Sequence, residues 1–313
     1  MNILRSRMKS AAARNREGIY GTMKVLLMIL FFLIVVCVWV VLYDTHRFVT
    51  VKYRFASPKI KQGMRLVMLS DLHNYRYGRE NELLLDAIAE NKPDAVILAG
   101  DMITAKKGEK FDKTLSFLKT LAERYPVYYA YGNHEQKIML YPGRYGDMGE
   151  KFEEGLKEAG IKPLNNLHCA LRDRNIVFYG LEIGRGFFKR FEVPPMPERY
   201  LTETLGTPES SAYCVLLAHN PDYFPEYAKW GADLVFSGHI HGGIVRLPFL
   251  GGVISPAIRF FPKYDGGLFG EGNAKMVLGR GIGTHSPRVR LFNPAELIVV
   301  ELEKELDTER KSR

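Results

Sequence analysis

The sequence predicts a mixed α/β sandwich preceded by one apolar helix. A 19-residue run without a charged side chain, residues 25–43, lies near the start of the chain. From residue 64 onward, short apolar runs of strand length alternate with segments whose apolar residues recur at helical spacing. After residue 175 the chain becomes richer in strand-like runs. Such a succession is typical of sheets that are covered by helices.

The apolar run is long enough to span a membrane. At a rise of about 1.5 Å per residue, it covers close to the ~30 Å hydrocarbon core of a bilayer. A secretory signal has a shorter apolar region of about 7–15 residues and a small-residue cleavage site, whereas DTHR follows here at residues 44–47. We therefore expect a retained single-pass anchor at residues 25–43, with an uncleaved or late-cleaved signal as the alternative.

The net charge of +9 is concentrated in the first part of the chain. Residues 1–65 contain 12 Lys/Arg and 2 Asp/Glu, whereas residues 66–313 contain 32 and 33. A nearly neutral main domain argues against a nucleic-acid partner, and basic residues beside an apolar run fit contact with anionic lipid headgroups. Six basic residues precede the apolar run and five follow it up to residue 61. This small bias favours a main domain on the extracytoplasmic side of the membrane.

Composition divides the chain into five segments. We expect a basic N-terminal segment at residues 1–24, a transmembrane anchor at 25–43, a linker at 44–63, the main domain at 64–303 and a charged tail at 304–313. The linker is basic, and the tail is so rich in charge that we expect it to fray.

The elements of the main domain follow from apolar runs and helical spacing. Strands are predicted at 64–70, 95–100 and 127–131, with helices at 81–91, 110–124 and 150–160. Further strands are predicted at 176–180, 213–218, 233–237, 275–279 and 297–302. The early part of the domain thus alternates strand and helix, and the later part is mostly strand.

Polar side chains collect where the predicted strands end. Each of five residues lies at, or up to two residues beyond, the end of such a strand: Asp71, Asp101, Asn133, His219 and His239. In open α/β sheets, that edge is where ligands bind. Core packing does not explain five polar residues at one edge, so we expect a functional site there.

Five short motifs carry these residues. In chain order they are Asp71-Leu72-His73, Gly100-Asp101, Gly132-Asn133-His134-Glu135, His219 and Gly238-His239-Ile240-His241. Five of the eight histidines of the chain belong to this set. Carboxylate and amide oxygens combined with imidazole nitrogens suit Mn²⁺, Fe²⁺ or Zn²⁺, and the set has no thiolate for a structural zinc site. A carboxylate such as Asp101 can bridge two ions that lie about 3.5–4 Å apart.

With these motifs in this order, the sequence resembles the calcineurin-like metallophosphoesterases, in particular their membrane-associated bacterial branch. The resemblance covers roughly residues 64–302 and implies a four-layer α/β/β/α sandwich with a two-metal site at its sheet edges. It also implies the ligands of each ion. Asp71, His73, Asp101 and His241 would hold one ion, and Asp101, Asn133, His219 and His239 the other. His134 would be the catalytic side chain, stabilising the transition state or protonating the leaving group.

The resemblance implies a phosphodiesterase or a phosphatase in which a hydroxide that bridges the two ions attacks phosphorus. Some relatives of this branch, including UDP-diacylglucosamine pyrophosphatases, act on lipid-linked phosphoesters. Residues 184–197 and 246–264 form aromatic, basic stretches that could contact a bilayer interface or an acyl chain. Ordinary core packing is the alternative account of their phenylalanines. We therefore expect a membrane-anchored enzyme for a lipid-linked or envelope phosphoester.

Two other functions fit the same motifs. A nuclease or a cyclic-nucleotide phosphodiesterase would use the same site, although a nearly neutral domain disfavours long polyanions. A non-catalytic membrane scaffold could retain the fold, but such a protein would be expected to lose ligand positions, and here every one is present. The sequence does not predict an oligomeric state.

Several residues near the motifs have simpler explanations. Gly100, Gly132 and Gly238 would let the chain turn sharply after a strand, and Glu135 would place a charge at the start of a helix or turn. Cys169 and Cys214 lie in apolar runs and are expected to be buried thiols, with a disulfide as the alternative in an oxidising compartment. His285 follows a predicted strand and could reach the site, or it could be an ordinary loop residue.

Overall fold

The computed structural model describes residues 2–243, 245–256, 258–284 and 289–305, and only the backbone of residues 2–17 and of Val245. Most of the expected charged tail, from residue 306, therefore lies outside the described residues. The chain divides into two units, Met1–Tyr43 and Asp44–Arg313.

The first unit is almost entirely one helix. Helix α1 spans Asn2–Thr45, and its last two residues belong to the second unit. From Gly18 it is long and apolar enough to cross a membrane. Most of its large apolar side chains from Gly18 onward, such as those of Leu30 and Phe31, are more than half exposed. A helix that is apolar on every face has no side suited to water, as expected for the predicted anchor.

The first sheet of the second unit has five strands. In spatial order these are β1 (Phe48–Ser57), β13 (Ala295–Lys304), β2 (Met64–Leu69), β3 (Ala95–Leu98) and β4 (Val127–Tyr129). Strands β2, β3 and β4 are parallel to one another, and β13 runs antiparallel to β2. The carboxyl ends of β2, β3 and β4 therefore share one edge.

The second sheet has six strands. In spatial order these are β11 (Gly267–Glu271), β12 (Ala274–Leu278), β8 (Leu234–Ser237), β7 (Tyr213–Ala218), β6 (Ile176–Leu181) and β5 (Leu167–Leu171). The four central strands are parallel, and the strand at each edge is antiparallel to its neighbour. A separate hairpin pairs β9 (Val245–Leu247) with β10 (Gly251–Ile254).

Each sheet is covered on one face by its own set of helices. The remaining helices are α2 (Glu82–Glu90), α3 (Asp112–Arg124), α4 (Asn133–Leu140), α5 (Pro142–Tyr145), α6 (Met148–Glu158), α7 (Tyr200–Leu205) and α8 (Phe224–Trp230). Side chains of α2 to α6 share a buried cluster with the first sheet. Side chains of α7 and α8 share another with the second sheet.

The buried side chains form three layers, which establishes the four-layer order. Val67 of β2 packs towards the helices, whereas its neighbour Leu66 packs against the second sheet, including Val215. Successive side chains of a strand point to opposite faces, so a strand buried on both faces reads as a continuous apolar run. The α/β/β/α sandwich expected from the sequence is confirmed.

The expected linker at residues 44–63 needs a correction, because residues 48–57 form strand β1. This strand pairs in parallel with β13 along its whole length, from Phe48 with Ala295 to Ser57 with Lys304. Its residues alternate between partly buried and exposed. The sequence alternates apolar residues with Lys52 and Arg54, which is the pattern of a half-buried strand at a sheet edge. Because Lys52 and Arg54 make this segment basic, its composition indicated a linker instead of a strand.

Candidate metal centre

The predicted site residues lie where the carboxyl edges of the two sheets meet. Asp71 and Asp101 follow β2 and β3 of the first sheet, and His219 and His239 follow β7 and β8 of the second. Hydrogen bonds join the edges, and two of them involve the predicted site residues. The ring Nδ1 of His219 lies 2.7 Å from the carbonyl oxygen of Ala99, and the backbone N–H of His239 donates to Oδ1 of Asp71 at 2.9 Å.

One group of potential ligand atoms comes from Asp71, His73 and His241, whose atoms lie within 4.8 Å of one another. The Nε2 atoms of His73 and His241 are 3.1 Å apart. Oδ1 of Asp71 lies 3.3 Å from Nε2 of His241. The motif that ends at His73 and the motif that ends at His241 are thus brought together as predicted, although these histidines are 168 residues apart in the chain.

A second group comes from Asp101, His219 and His239, again within 4.8 Å. Oδ2 of Asp101 lies 3.1 Å from Nε2 of His219 and 3.8 Å from Nε2 of His73 in the first group. Asp101 is therefore the carboxylate placed between the two groups. The side-chain oxygen of Asn133 is buried in the same region without a hydrogen-bond partner among the residues described.

Several buried acceptor atoms at the site lack a proton donor in the described part of the chain. They are Oδ2 of Asp71, Oδ1 of Asn133 and Nε2 of His219. An unpaired buried polar atom costs about 1–3 kcal/mol. Because each of these atoms can offer a lone pair, a cation would satisfy all three. The donor set of oxygen and imidazole nitrogen therefore fits divalent metal ions.

The contact between Nδ1 of His219 and the carbonyl oxygen of Ala99 determines which ring nitrogen can bind a metal ion. Because Nδ1 faces the Ala99 carbonyl oxygen, Nδ1 carries the proton and Nε2 of the neutral ring presents a lone pair. In the metal-free site burial opposes protonation of His219, but the carboxylates of Asp101 and Asp71 raise its pKa to about 10. Nε2 then carries a proton towards Asp101 at 3.1 Å, and a metal ion bound by both side chains would displace that proton.

His134 is held in the opposite tautomer. Its Nδ1 accepts a hydrogen bond from the backbone N–H of Ala105 at 2.8 Å. In the neutral ring the proton must then be on Nε2, which leaves no lone pair there for a metal ion. Although His134 lies near ligand atoms of His73 and Asp101, its ring can donate a hydrogen bond but not coordinate an ion.

Burial shifts the protonation equilibria of the metal-free site. Burial raises the pKa of Asp71 to about 6, although the nearby His219 opposes the rise. Burial acts in the same direction on Asp101, but the imidazoles of His219 and His134 hold the pKa of Asp101 well below its usual range. Burial, followed by the neighbouring His219, lowers the pKa of His239 to about 3. His239 is therefore neutral, as a metal ligand must be.

Five of the seven predicted ligands adopt left-handed backbone conformations. Their φ angles are 54° for Asp71, 49° for His73, 57° for Asp101, 74° for His239 and 55° for His241. Non-glycine residues rarely adopt such angles, and each costs about 1–3 kcal/mol. These conformations turn the chain sharply after each strand, and such strain is concentrated at functional sites.

The glycines beside the ligands differ in what they contribute. Gly100 has φ +88° and provides the sharp turn that the sequence predicted. Gly132 and Gly238 do not adopt left-handed angles, so their contribution is of another kind. A Cβ atom at Gly132 would overlap the side chain of Asp101, and one at Gly238 would overlap that of Asp71. Their role is to let the carboxylates approach the backbone closely.

Glu135 has a role that the sequence pattern did not show. Its buried carboxylate accepts hydrogen bonds from the backbone N–H groups of Gly132 at 2.9 Å, Asp101 at 2.9 Å and Met102 at 2.7 Å. Oδ1 of Asp101 in turn accepts from the backbone N–H of His134 at 2.7 Å. Glu135 thus joins the two motifs and orients the shared carboxylate, which is more than placing a charge at a helix start.

Asn293 is a second supporting residue that the motifs did not include. Its side-chain amide donates to the carbonyl oxygens of His241 at 2.6 Å and Gly243 at 3.3 Å. Its backbone N–H donates to the carboxylate of Asp44 at 3.1 Å. The buried Arg290 extends this network by donating to the carbonyl oxygen of Gly281 at 3.0 Å. Hydrogen bonds from Asn293, near the end of the domain, therefore stabilise the loop that carries His241.

The ligands open into a cavity of about 130 Å³. Its walls include side chains from the site, from α4 and from both aromatic stretches: His73, Asp101, Asn133, His134, Lys137, Arg185, Phe188, Arg190, His239, His241 and Pro256. The sequence singled out residues 184–197 and 246–264, and both stretches border the cavity. Lys137, Arg185 and Arg190 were not predicted as site residues, because no local motif marks them.

The phenylalanines of the two stretches have different environments. Phe187 packs against Tyr200 and Tyr223, and the ring of Phe188 contacts that of His239 at 5.2 Å. Core packing is thus the account of Phe187, whereas Phe191 of the same stretch is 69% exposed. In the second stretch, Phe249 is fully exposed and Phe260 and Phe261 are more than 60% exposed.

Cys169 and Cys214 take no part in the described site. Cys169 and Cys214 are free thiols on β5 and β7, which lie on either side of β6. Two strand spacings separate them by about 9.5 Å, which is too far for a disulfide. The structure therefore supports the expectation of free thiols. His285 lies outside the described residues.

Comparison with known proteins agrees with this geometry. The family model of the calcineurin-like phosphoesterases matches residues 64–243. Phosphodiesterase YaeI of Escherichia coli (strain K12) is 29% identical over 70% of this chain and 75% of that protein. UDP-2,3-diacylglucosamine pyrophosphatase LpxG of Chlamydia muridarum is 24% identical over 76% and 83%. A transmembrane protein with a metallophosphoesterase domain from Danio rerio is 26% identical over 79% of this chain and 55% of that protein.

The matched residues cover more than half of the chain and contain every predicted ligand. The ligand groups also lie together at the carboxyl edges of a four-layer sandwich. The chain therefore belongs to the calcineurin-like phosphoesterase family and is a hydrolase of phosphoester bonds.

Proposed function

We propose that the protein is a membrane-anchored phosphoesterase that uses two divalent metal ions and acts on a lipid-linked or envelope phosphoester. The observation that carries this proposal is the pair of adjacent candidate ligand groups, in which Asp101 of the second group lies 3.8 Å from His73 of the first. The names of YaeI as a phosphodiesterase and of LpxG as a pyrophosphatase support a diester or diphosphate substrate.

The geometry supports a specific division of ligands. Asp71, His73, Asp101 and His241 would hold one ion, and Asp101, Asn133, His219 and His239 would hold the other. Oδ2 of Asp101, which lies near nitrogen atoms of both groups, is suited to bridge them. When bound, the ions would supply a deprotonated water molecule as nucleophile and offset negative charge on the phosphate oxygens.

His134 would act on the substrate phosphate from its place on the cavity wall. The hydrogen bond that its Nδ1 accepts distinguishes between the two roles that the resemblance implied. A proton donor would need an imidazolium, yet protonation of Nδ1 would break the hydrogen bond from Ala105. The neutral ring with its proton on Nε2 can instead donate a hydrogen bond to a phosphate oxygen. We therefore assign His134 to transition-state stabilisation rather than to leaving-group protonation.

Two features support a substrate at a membrane. Helix α1 has the length and composition of a membrane span. The stretch that borders the cavity at Pro256 also exposes Phe249, Phe260 and Phe261. Exposed aromatic side chains near a site are typical of contact with a lipid interface or an acyl chain. The small excess of basic residues before the span favours a catalytic domain on the extracytoplasmic side.

The test is a substrate panel with the full chain in detergent and Mn²⁺. The panel contains an aryl phosphomonoester, an aryl phosphodiester, a cyclic nucleotide, an oligonucleotide, a nucleotide sugar and a phospholipid. We expect hydrolysis of the diester, with loss of activity in Asp101→Ala and His239→Ala. His168→Ala, on the exposed edge strand β5, is the matched control and should behave as the wild type.

Each part of the proposal has its own contrary result. Full activity in Asp101→Ala would exclude the metal site as the catalytic centre. Equal rates on soluble and micellar phosphoesters would exclude a lipid-linked substrate but would not contradict the phosphoesterase activity. Preference for the cyclic nucleotide or the oligonucleotide would favour the alternative functions. A protein that binds no Mn²⁺ and cleaves nothing would be a scaffold that retains the fold.

A further inference from the structure

Three basic side chains line the cavity beside the metal centre. Lys137 belongs to α4, and Arg185 and Arg190 belong to the stretch that follows β6. Lys137 and Arg185 are half-buried, and Arg190 is exposed. Within the described residues none of the three pairs with a carboxylate at 4 Å or less. The neighbouring basic residues differ, because Lys189 pairs with Glu192 and Arg246 with Asp265.

Arg185 is held firmly at the site without a counter-charge. One of its terminal nitrogens donates to the carbonyl oxygen of Asn133 at 3.3 Å. Its guanidinium lies 5.6 Å from the centre of the Phe188 ring, which itself contacts the ring of His239. Its Nε is buried with no partner in the described part of the chain. A half-buried guanidinium with unused donors indicates a place for an anion.

Lys137 adds to the positive field in the same cavity. Burial lowers the pKa of its amine, and the charges of Arg185 and Arg190 act in the same direction, against the effect of Asp101. Three like charges that face one space repel each other unless an anion is bound among them. The arrangement is therefore costly in the free protein and favourable with a negatively charged ligand.

A simple phosphodiester would leave these charges uncompensated. The carboxylates of Asp71 and Asp101, one hydroxide and the single charge of a diester would together balance two divalent ions. We propose that Lys137, Arg185 and Arg190 form a second anion subsite, which binds a second phosphate group attached next to the scissile one. This inference rests on the proposed function and makes a diphosphate-containing ester the preferred class of substrate. The planar fork of Arg185 suits bidentate contact with phosphate.

The test compares two substrates that share a nucleoside. One is an aryl ester of a nucleoside monophosphate, with a single phosphate, and the other is a nucleoside diphosphate sugar. Arg185→Met in the full chain with Mn²⁺ should lower kcat/KM on the diphosphate substrate about 10- to 100-fold. On the single-phosphate ester the loss should be less than about 3-fold. Lys137→Met and the exposed Arg190→Met should show the same selectivity, and Lys189→Met, next to Arg190, is the control.

A binding measurement gives a second readout that needs no turnover. By calorimetry in Mn²⁺, the wild type should bind a nucleoside diphosphate more tightly than the monophosphate, and Arg185→Met should lose this preference. Arg185→Lys should retain part of the preference for the diphosphate, because lysine keeps the positive charge but lacks the planar guanidinium that makes two parallel hydrogen bonds. An unchanged unfolding temperature shows that the variants are folded, and Arg190→Met tests the subsite at an exposed position.

The contrary outcomes separate this inference from the proposed function. Equal losses on both substrates would show that Arg185 binds the scissile phosphate and would overturn the second subsite. Unchanged kinetics in all three variants would overturn it as well. If the wild type cleaved no phosphoester but retained a diphosphate preference that Arg185→Met removed, the proposed function would fail and the subsite would stand.

Discussion

The side-chain amide of Asn293 donates a hydrogen bond to the carbonyl oxygen of His241 at 2.6 Å. His241 is one of the predicted ligands and has a left-handed backbone with φ 55°. A Cβ atom on the neighbouring Gly242 would overlap the Asn293 side chain, so the loop and the asparagine fit closely together. A residue 52 positions later in the chain thus stabilises the strained conformation that aims His241 at the site.

Asn293→Asp should therefore weaken metal binding while keeping the size of the side chain. The carboxylate cannot donate to the carbonyl oxygens of His241 and Gly243, so the loop would relax. Loss of a supporting contact behind a ligand typically costs about 10- to 100-fold in metal affinity. Calorimetric titration with Mn²⁺ measures the change. The control is Asn91→Asp at the C-terminal end of helix α2, where the asparagine amide donates to the carbonyl oxygen of Ala87. Equal Mn²⁺ affinity in wild type and Asn293→Asp would contradict the role of Asn293.

Metal ions should stabilise the folded protein. Binding to the native state alone contributes about 2.7 kcal/mol at a concentration 100 times the dissociation constant, which raises the unfolding temperature by about 5–10 °C. The shift should be smaller in Asp101→Asn, because the shared carboxylate is lost from both ligand groups. Thermal unfolding in EDTA and in increasing Mn²⁺ checks this. An unfolding temperature that is independent of Mn²⁺ in the wild type would show that the site does not bind it.

The stability of the metal-free protein should depend on Asp71 in a defined pH window. Burial raises the pKa of Asp71 to about 6 from an ordinary value of 3.8. The folded protein therefore prefers the neutral carboxyl, and this contribution to stability is complete below the ordinary value and is lost as pH rises through about 6. In EDTA, Asp71→Asn should become increasingly more stable than the wild type between these pH values.

Mn²⁺ should reverse that order, because the ionised carboxylate becomes a ligand. Chemical unfolding of both proteins at several pH values, with and without the ion, provides the comparison. A difference between the two proteins that stays constant with pH in EDTA would contradict the assignment of the raised pKa to Asp71.

His134→Ala should lower kcat by about 10²- to 10³-fold without loss of bound metal, as expected when a preorganised donor is removed from a transition state. If His134 stabilises charge on the phosphate, the loss should be similar for aryl diesters with good and poor leaving groups. If it protonates the leaving group, the loss should be larger for the poor one. Turnover of p-nitrophenyl and phenyl esters, with the metal content measured in parallel, distinguishes the two roles.

The strands of the sandwich could be predicted because they are buried on both faces. The run YCVLLA at residues 213–218 coincides with β7, and each predicted strand overlaps an observed one. Strand β1 was missed because only one of its faces is buried, and its exposed positions carry basic residues that suggest a connector. Short helices such as α7 and α8 were missed because one or two turns are too few to establish a helical period.

The clustering of the candidate ligands could be predicted because five motifs stand at strand ends in a recognisable order. The residues that position or surround them could not. Glu135 binds backbone groups that lie 33 and 34 residues earlier, and Asn293 reaches the His241 loop from the end of the domain. Arg185 enters the cavity from a loop without a motif. Such contacts depend on tertiary packing, which no local pattern records.

The pairing of β1 with β13 determines where the chain can be shortened. A water-soluble version that lacks the apolar run should begin at Asp44, and not at the first predicted strand. Removing residues 44–63 would leave the ten-residue edge of β13 unpaired, and unpaired edges promote aggregation between molecules. It would also remove the Asp44 carboxylate that holds Asn293. The enzyme's solubility in isolation and the integrity of its metal site therefore depend on the same twenty residues.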